Sequence, residues 1–305
     1  MSLPPERPGR LAAALRAGRF AVTAEIAPPR GADVTELRHT ARLLRGWVDA
    51  ANVTDNQGAG VRVSSLAGSV VLLAEGLEPV MQMTCRDRNR IALQSDLLAA
   101  GALGVPNLLL MTGDRPEQGD HADALPVFDL SSETLMAAAR ALRDGGTLLT
   151  GRVVDPPPRY LLGAVDAGTG KLDRMVRKVA GGAEFVQTQF VFDVPRFARW
   201  LQRVHDMGLT ERCGVLAGVG PIRSLRALEV MANLPGVVVP AALERRLRGV
   251  PADRVAQEGM AAAAETLAAL RELPGLAGAH VMVVAYERGV PELLTAAGLG
   301  PIQAA

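Results

Sequence analysis

Short apolar runs of strand length alternate with stretches whose apolar residues recur at helical spacing, and the alternation repeats about eight times along the chain. Runs at 20–26, 48–54, 80–84, 108–110, 160–165, 185–189, 213–219 and 280–285 predict strands. Stretches at 34–44, 61–75, 90–100, 171–179, 194–206, 225–231 and 261–270 predict helices, and a further helix is expected after the cap pair Ser131-Ser132. A β-like run at 237–239 ends at Pro240. No composition break marks a linker, so the pattern predicts a (β/α)8 TIM barrel as one domain over 1–305, with an irregular extension at 1–18. A doubly wound open sheet is the alternative, but no strand is followed by a GxGxxG helix start.

The strand-like runs open into polar, often Gly- or Pro-broken junctions, and in parallel α/β folds ligands sit at that carboxyl end. Glu25 ends the first, and Pro28-Pro29 beyond it cannot donate backbone hydrogen bonds. A carboxyl desolvated at such a strand end favours its protonated form and can act as a general acid; an ion pair with Arg30 or Arg86 is the structural alternative. Asp114, after Gly113, either meets an NH-rich ligand ring or forms a local Asx turn. The run 84–89 (TCRDRN) offers Arg86 and Arg88 either to a phosphate or ribose or to an internal network with Asp87, for which the structural role is favoured. Gln189 presents an amide that needs partners for its oxygen and its NH2, and such a group can read a pterin-like edge. Lys178, beside Arg177, faces solvent or a phosphate.

Composition narrows the function classes. The 33 basic and 32 acidic residues of the 305 give a net charge of +1 and are spread along the chain, which argues against a nucleic-acid groove or a membrane-surface patch. Cys85 and Cys213 stand far apart, His39, His121, His205 and His280 are scattered, and neither a disulfide framework nor a metal site is expected. No apolar run approaches the ~20 residues of a membrane span, and the first residues lack a signal-peptide core. A cytoplasmic protein is expected. The long, Asp-rich loop 113–130 reads as a binding loop.

Taken in order and spacing, Glu25-Ile-Ala-Pro-Pro, Val53-Thr-Asp-Asn, Met83-Thr-Cys-Arg-Asp-Arg-Asn, Thr112-Gly-Asp-Arg-Pro, Arg177-Lys-Val-Ala-Gly-Gly-Ala, Thr188-Gln-Phe-Val-Phe-Asp193 and Tyr286-Glu-Arg288 resemble the methylenetetrahydrofolate reductase family. The Thr-Cys-Arg-Asp-Arg-Asn form is most similar to the branch with acetogen enzymes and reductases fused to homocysteine methyltransferase. The resemblance implies a barrel carrying FAD that passes hydride from NAD(P)H to 5,10-methylenetetrahydrofolate, with a folate substrate and a homo-oligomer or partner subunit. It makes Glu25 the general acid, gives Asp114 a role beside flavin and folate, and gives Gln189 and Arg288 folate contacts. Thr54, Asp55, Gln82, Thr112, Gly113, Asp123, Ala124 and Lys178 fall where the family binds nicotinamide or flavin. Gln82 replaces a common His, Thr112 a common Arg, and Gly163-Ala-Val-Asp166 a usual Tyr-Pro-Glu or Val-Asn-Pro pattern. The segment from there to Lys178, which in the family cradles the ADP part of FAD, is several residues short. Weak FAD binding, FMN, or hydride transfer directly from NAD(P)H would each fit these departures.

The competing classes are a related C1-folate oxidoreductase run in reverse and a non-catalytic folate-binding subunit of a redox or methyl-transfer complex. The retained Glu25 weighs against the latter, because binding alone needs no proton donor. A Schiff-base aldolase ranks below them, since none of the expected strands ends in Lys.

Overall fold

The computed structural model of the chain describes residues 8–283 and 286–302. Strands β1 (Ala21–Ile26), β2 (Ala50–Val53), β3 (Pro79–Thr84), β4 (Asn107–Met111), β5 (Leu161–Asp166), β6 (Phe185–Phe190), β7 (Gly214–Val219) and β8 (Gly278–Val281) form a closed parallel barrel in chain order, with β8 pairing back onto β1. This is the expected (β/α)8 architecture. Positions 284 and 285 of the last expected strand lie outside the described residues, as do 1–7 and 303–305 of the two ends.

The helices are α1 (Arg10–Arg16), α2 (Thr35–Leu44), α3 (Ser65–Ala74), α4 (Arg90–Ala102), α5 (Ser132–Gly145), α6 (Asp173–Gly181), α7 (Val194–Asp206), α8 (Leu225–Ala232), α9 (Ala241–Arg248), α10 (Val255–Arg271) and α11 (Gly289–Ala296). Side chains alternate across each strand. Val22, Ala24, Ile26, Met81, Met83, Leu108 and Leu110 face the helices in the main core, whereas Ala21, Ala50, Val80, Leu109, Leu161, Phe185 and Leu216 form a separate cluster.

The extension expected to be irregular over 1–18 instead contains α1. Its buried face, Leu11, Ala12, Ala14 and Leu15, joins that second cluster and closes the amino-terminal end of the barrel. The apolar pair Leu11 and Leu15 one turn apart is the driving feature. Glu78 anchors the helix start: its carboxylate accepts from the backbone N–H of Arg10 and, at 3.1 Å, of Leu11, and from Asn107 Nδ2 at 2.7 Å. Burial holds the Glu78 carboxyl above its ordinary range.

Two other expectations change. Residues 237–239 form no strand; Val237 instead packs with Phe190, Ile222, Leu228 and Leu247 in a side core. The helix expected over 261–270 begins earlier, at Val255, and α9 precedes it. Ser131 caps α5 through a reciprocal bond with Thr134, as the Ser pair predicts.

Candidate active site

The carboxyl ends of the strands carry a polar floor that starts inside the barrel. Thr23, Asn52, Gln187 and His280 are all at most 3% exposed. Asn52 Nδ2 donates to Gln187 Oε1 at 2.7 Å, Gln187 Nε2 donates to Thr23 Oγ1 and Asn52 Oδ1 at 3.1 Å each, and Thr23 Oγ1 lies 2.9 Å from His280 Nδ1. Every amide atom of the Asn52–Gln187 pair but one N–H of Asn52 is thereby engaged, as buried polar groups require.

Glu25 stands above this floor. His280 Nε2 is 3.8 Å from Glu25 Oε2, and Gln82 Nε2 donates to the same oxygen at 3.4 Å. Its side chain is 21% exposed, so the expected burial is partial. Neither arginine considered as a partner reaches it: Arg30 pairs with Asp120 at 2.6 Å, and Arg86 grips Asp87 with Nε at 2.6 Å and Nη2 at 2.8 Å. Glu25 thus keeps a solvent-reachable carboxyl next to an imidazole and an amide donor. Burial first, and the charge of Glu25 second, push the Glu287 carboxyl above its ordinary range, so a second carboxyl shares this end of the barrel.

The other sequence-predicted residues divide into two groups. Thr54 is 1% exposed and its Oγ1 has no partner among the described residues, leaving a hydroxyl for a ligand at the end of β2. Gln189 Oε1 accepts from Phe190 N at 3.0 Å, which leaves the amide NH2 for a ligand. Arg288 lies 5.3 Å from the ring centre of Tyr286, whose ring also carries Arg223 at 3.8 Å. These three, with Glu25 and Gln82, come from strand ends or from the loops that follow them.

Asp55, by contrast, is a brace. Its Oδ2 accepts from Thr84 N and Oγ1 at 2.8 Å each and pairs with Arg88, which also holds Asp96 at 2.8 Å. Asp114 is exposed, and its Oδ2 accepts from Gly58 N at 2.9 Å, tying the loop after β4 to the loop after β2. Gly113 turns there with φ of 93°, a conformation that favours glycine. Thr112, Asp123 and Ala124 are exposed on the same loop. Lys178 is buried on α6; its Nζ donates to Val165 O, and Asp166 faces it electrostatically. Burial lowers the Lys178 ammonium and raises the Asp166 carboxyl from their ordinary values. The substitution at Gly163 also has a local cause: a Cβ there would lie 2.2 Å from the Phe185 ring.

A family model described as methylenetetrahydrofolate reductase matches residues 10–298. The chain belongs to this family. Among its relatives, methylenetetrahydrofolate reductase 2 of Schizosaccharomyces pombe is 24% identical over 208 residues, covering 64% of this chain and 31% of that protein. The probable methylenetetrahydrofolate reductase (NADPH) of Caenorhabditis elegans is 24% identical over 246 residues, covering 79% of this chain and 35% of that protein. The 5,10-methylenetetrahydrofolate reductase of Pectobacterium carotovorum is 26% identical over 227 residues, covering 73% and 71%. The chain thus spans about a third of the length of the S. pombe and C. elegans relatives (31% and 35%). In fold it is similar to a Clostridium thermocellum protein that binds two copies of 5-methyl-5,6,7,8-tetrahydrofolic acid (TM-score 0.64, 14% identity, 94% of this chain and 97% of that one). A Mycobacterium tuberculosis tryptophan synthase matches less closely, with a TM-score of 0.51 at 14% identity over 96% of this chain and 99% of that one.

Within this reductase-family barrel, sequence reasoning passed over Thr23, Asn52, Gln187 and His280. Thr23 stands two residues before the singled-out strand end Glu25 and so shares its face, whereas on β6 the register shifts between Gln187 and Phe190. For Thr23 that spacing was the available signal.

Proposed function

We propose that the chain reduces 5,10-methylenetetrahydrofolate to 5-methyltetrahydrofolate with NAD(P)H, Glu25 serving as the general acid. The observation that carries this reading is the carboxyl of Glu25, free of any arginine and set between Gln82 and His280 at the mouth of the barrel. Glu25 gives its proton to the folate nitrogen that leaves the methylene bridge. The bridge opens to an iminium ion, whose carbon takes a hydride from NAD(P)H and becomes the methyl group. One proton and one hydride are consumed per methyl group formed.

Gln82 and His280 hold the carboxyl in position, and the water-accessible side of Glu25 allows it to be reprotonated between turnovers. The unspent NH2 of Gln189 and the guanidinium of Arg288 are the groups offered to the folate, and the unpartnered hydroxyl of Thr54 and the Gly113 turn line the neighbouring ring site. Asp114 keeps one carboxylate oxygen beyond its bond to Gly58 and is proposed as a further contact to the substrate. Membership of the reductase family and the folate bound by the similar Clostridium protein support the substrate class.

Glu25→Gln tests the reading, because it keeps the size and hydrogen-bonding capacity of the side chain and removes only the transferable proton. Turnover should fall about 10²–10⁴-fold, the usual worth of a general acid, while tetrahydrofolate still binds with little change. Unchanged turnover would overturn the role of Glu25.

A further inference from the structure

The residues that the family resemblance assigns to the ADP part of a flavin do not fit that task in this chain. A diphosphate needs unspent donors and positive charge. Lys178, the cation at that place, is buried, has its Nζ on the carbonyl of Val165, and faces the carboxyl of Asp166 from the end of β5. Arg177, one residue earlier, pairs with Glu133 at 3.1 Å, and Arg140 donates to Ala180 O at 2.9 Å. Arg174, exposed on the same helix, feels the charge of Asp166 but makes no hydrogen bond or ion pair with it.

The neighbouring junction offers no replacement. Arg86 is held by Asp87, and Arg88 by Asp55 and Asp96. On the ring side, Gln82, which stands where a His beside the flavin is usual, turns its amide to Glu25. At Lys178, therefore, the chain's own groups, Val165 O and Asp166, take the place of the outside anion, while Arg196, Arg199 and Arg203 line a cavity beside Thr169 and Gly170.

From this geometry we infer that the chain works without a flavin, and that hydride passes directly from C4 of NAD(P)H to the methylene carbon of the folate. The inference rests on the reductase reading above. The electron pair leaves the dihydronicotinamide as hydride, forms the new C–H bond of the methyl group, and leaves NAD(P)+; Glu25 supplies the one proton. No second redox group is needed for the balance. Thr54 and Gln82 then flank the space shared by nicotinamide and pterin.

The two routes differ in the fate of the hydrogen. A hydride stored on flavin nitrogen exchanges with solvent, whereas one passed from carbon to carbon does not. The purified full chain, without added flavin, is therefore given 4-deuterated NADH or NADPH, prepared as each C4 epimer, and methylenetetrahydrofolate in ordinary water, and the product methyl group is analysed by mass spectrometry. One epimer should give a methyl group carrying a single deuterium with essentially complete retention. Turnover with a methyl group free of deuterium from both epimers would overturn direct transfer while leaving the reductase reading intact. Absence of methyl product with or without added FAD or FMN would instead remove the reductase reading on which the inference stands. Flavin binding is read separately, by equilibrium dialysis of FAD: the chain should retain none, and the Asp166→Asn variant should retain measurably more. Stoichiometric FAD on the unaltered chain would overturn the closed-cradle argument.

Discussion

Replacing Gln187 by Leu removes one member of the buried floor beneath Glu25 without changing side-chain volume greatly. Asn52 then loses the partner of its Nδ2 at 2.7 Å and of its Oδ1 at 3.1 Å, while Thr23 keeps His280 at 2.9 Å. Asn52 is fully buried, so water cannot take over. Each orphaned buried group costs about 1–3 kcal/mol, which puts the loss at about 2–6 kcal/mol for the two together. Removing both partners should behave differently. In the double variant Asn52→Leu, Gln187→Leu no amide is stranded, and most of that loss should return. The assay is urea unfolding of the single and double variants. With a slope of about 3 kcal/mol per molar, Gln187→Leu should lower the midpoint by about 1 M, and the double variant should lie well above the sum of the singles. A single variant within about 0.5 kcal/mol of the parent chain, or strictly additive losses, would refute the claim that this pair is a mutually satisfied network.

Two further outcomes follow from local geometry. The guanidinium of Arg90 and its backbone N–H hold the Asp129 carboxyl at about 2, below its ordinary 3.8, so this pair fastens the end of the long loop to α4 above that range and is lost as pH falls from 3.8 towards 2. A carboxyl-carbon NMR titration of Asp129 should have its midpoint near 2; a midpoint at the ordinary value would contradict the pair. Gly163→Ala places a methyl group 2.2 Å from the Phe185 ring, and overpacking of this kind costs about 1–3 kcal/mol, readable as a lowered thermal midpoint. An unchanged midpoint would show that the ring can yield.

The barrel was legible because its strands are short apolar runs and its helices carry their own stop signals. The helix over 194–206 appears with the expected bounds as α7, and Ser131 caps α5 as its position implies. Helix α1 was hidden because its apolar face meets residues distant in the sequence, including Phe185 and Leu216, and no local pattern records that contact. The run at 237–239 misled for a related reason: a short β-branched stretch reads as a strand until a side core claims it.

The site was legible at its rim and obscure in its depth. Glu25 and Gln189 could be singled out because polar residues at strand ends are conspicuous, and Gln82 only because the family resemblance points to it. His280 looked like a lone histidine, since Thr23 and Glu25, which give it meaning, lie on β1 at the far end of the chain. The same holds for Lys178: its helix was expected, but whether its charge is free depends on Val165 and Asp166 across the β5–α6 turn. Asp55 likewise could not be seen as a brace until Thr84 and Arg88 were beside it.

The reductase activity of the barrel is read most directly by following NAD(P)H oxidation and 5-methyltetrahydrofolate formation together, with the purified chain and 5,10-methylenetetrahydrofolate and no other electron donor. One methyl group should form for each NAD(P)H oxidised, with both signals falling together about 10²–10⁴-fold in Glu25→Gln. Oxidation of NAD(P)H without methyl product, or product formation at an undiminished rate in that variant, would contradict the role of Glu25.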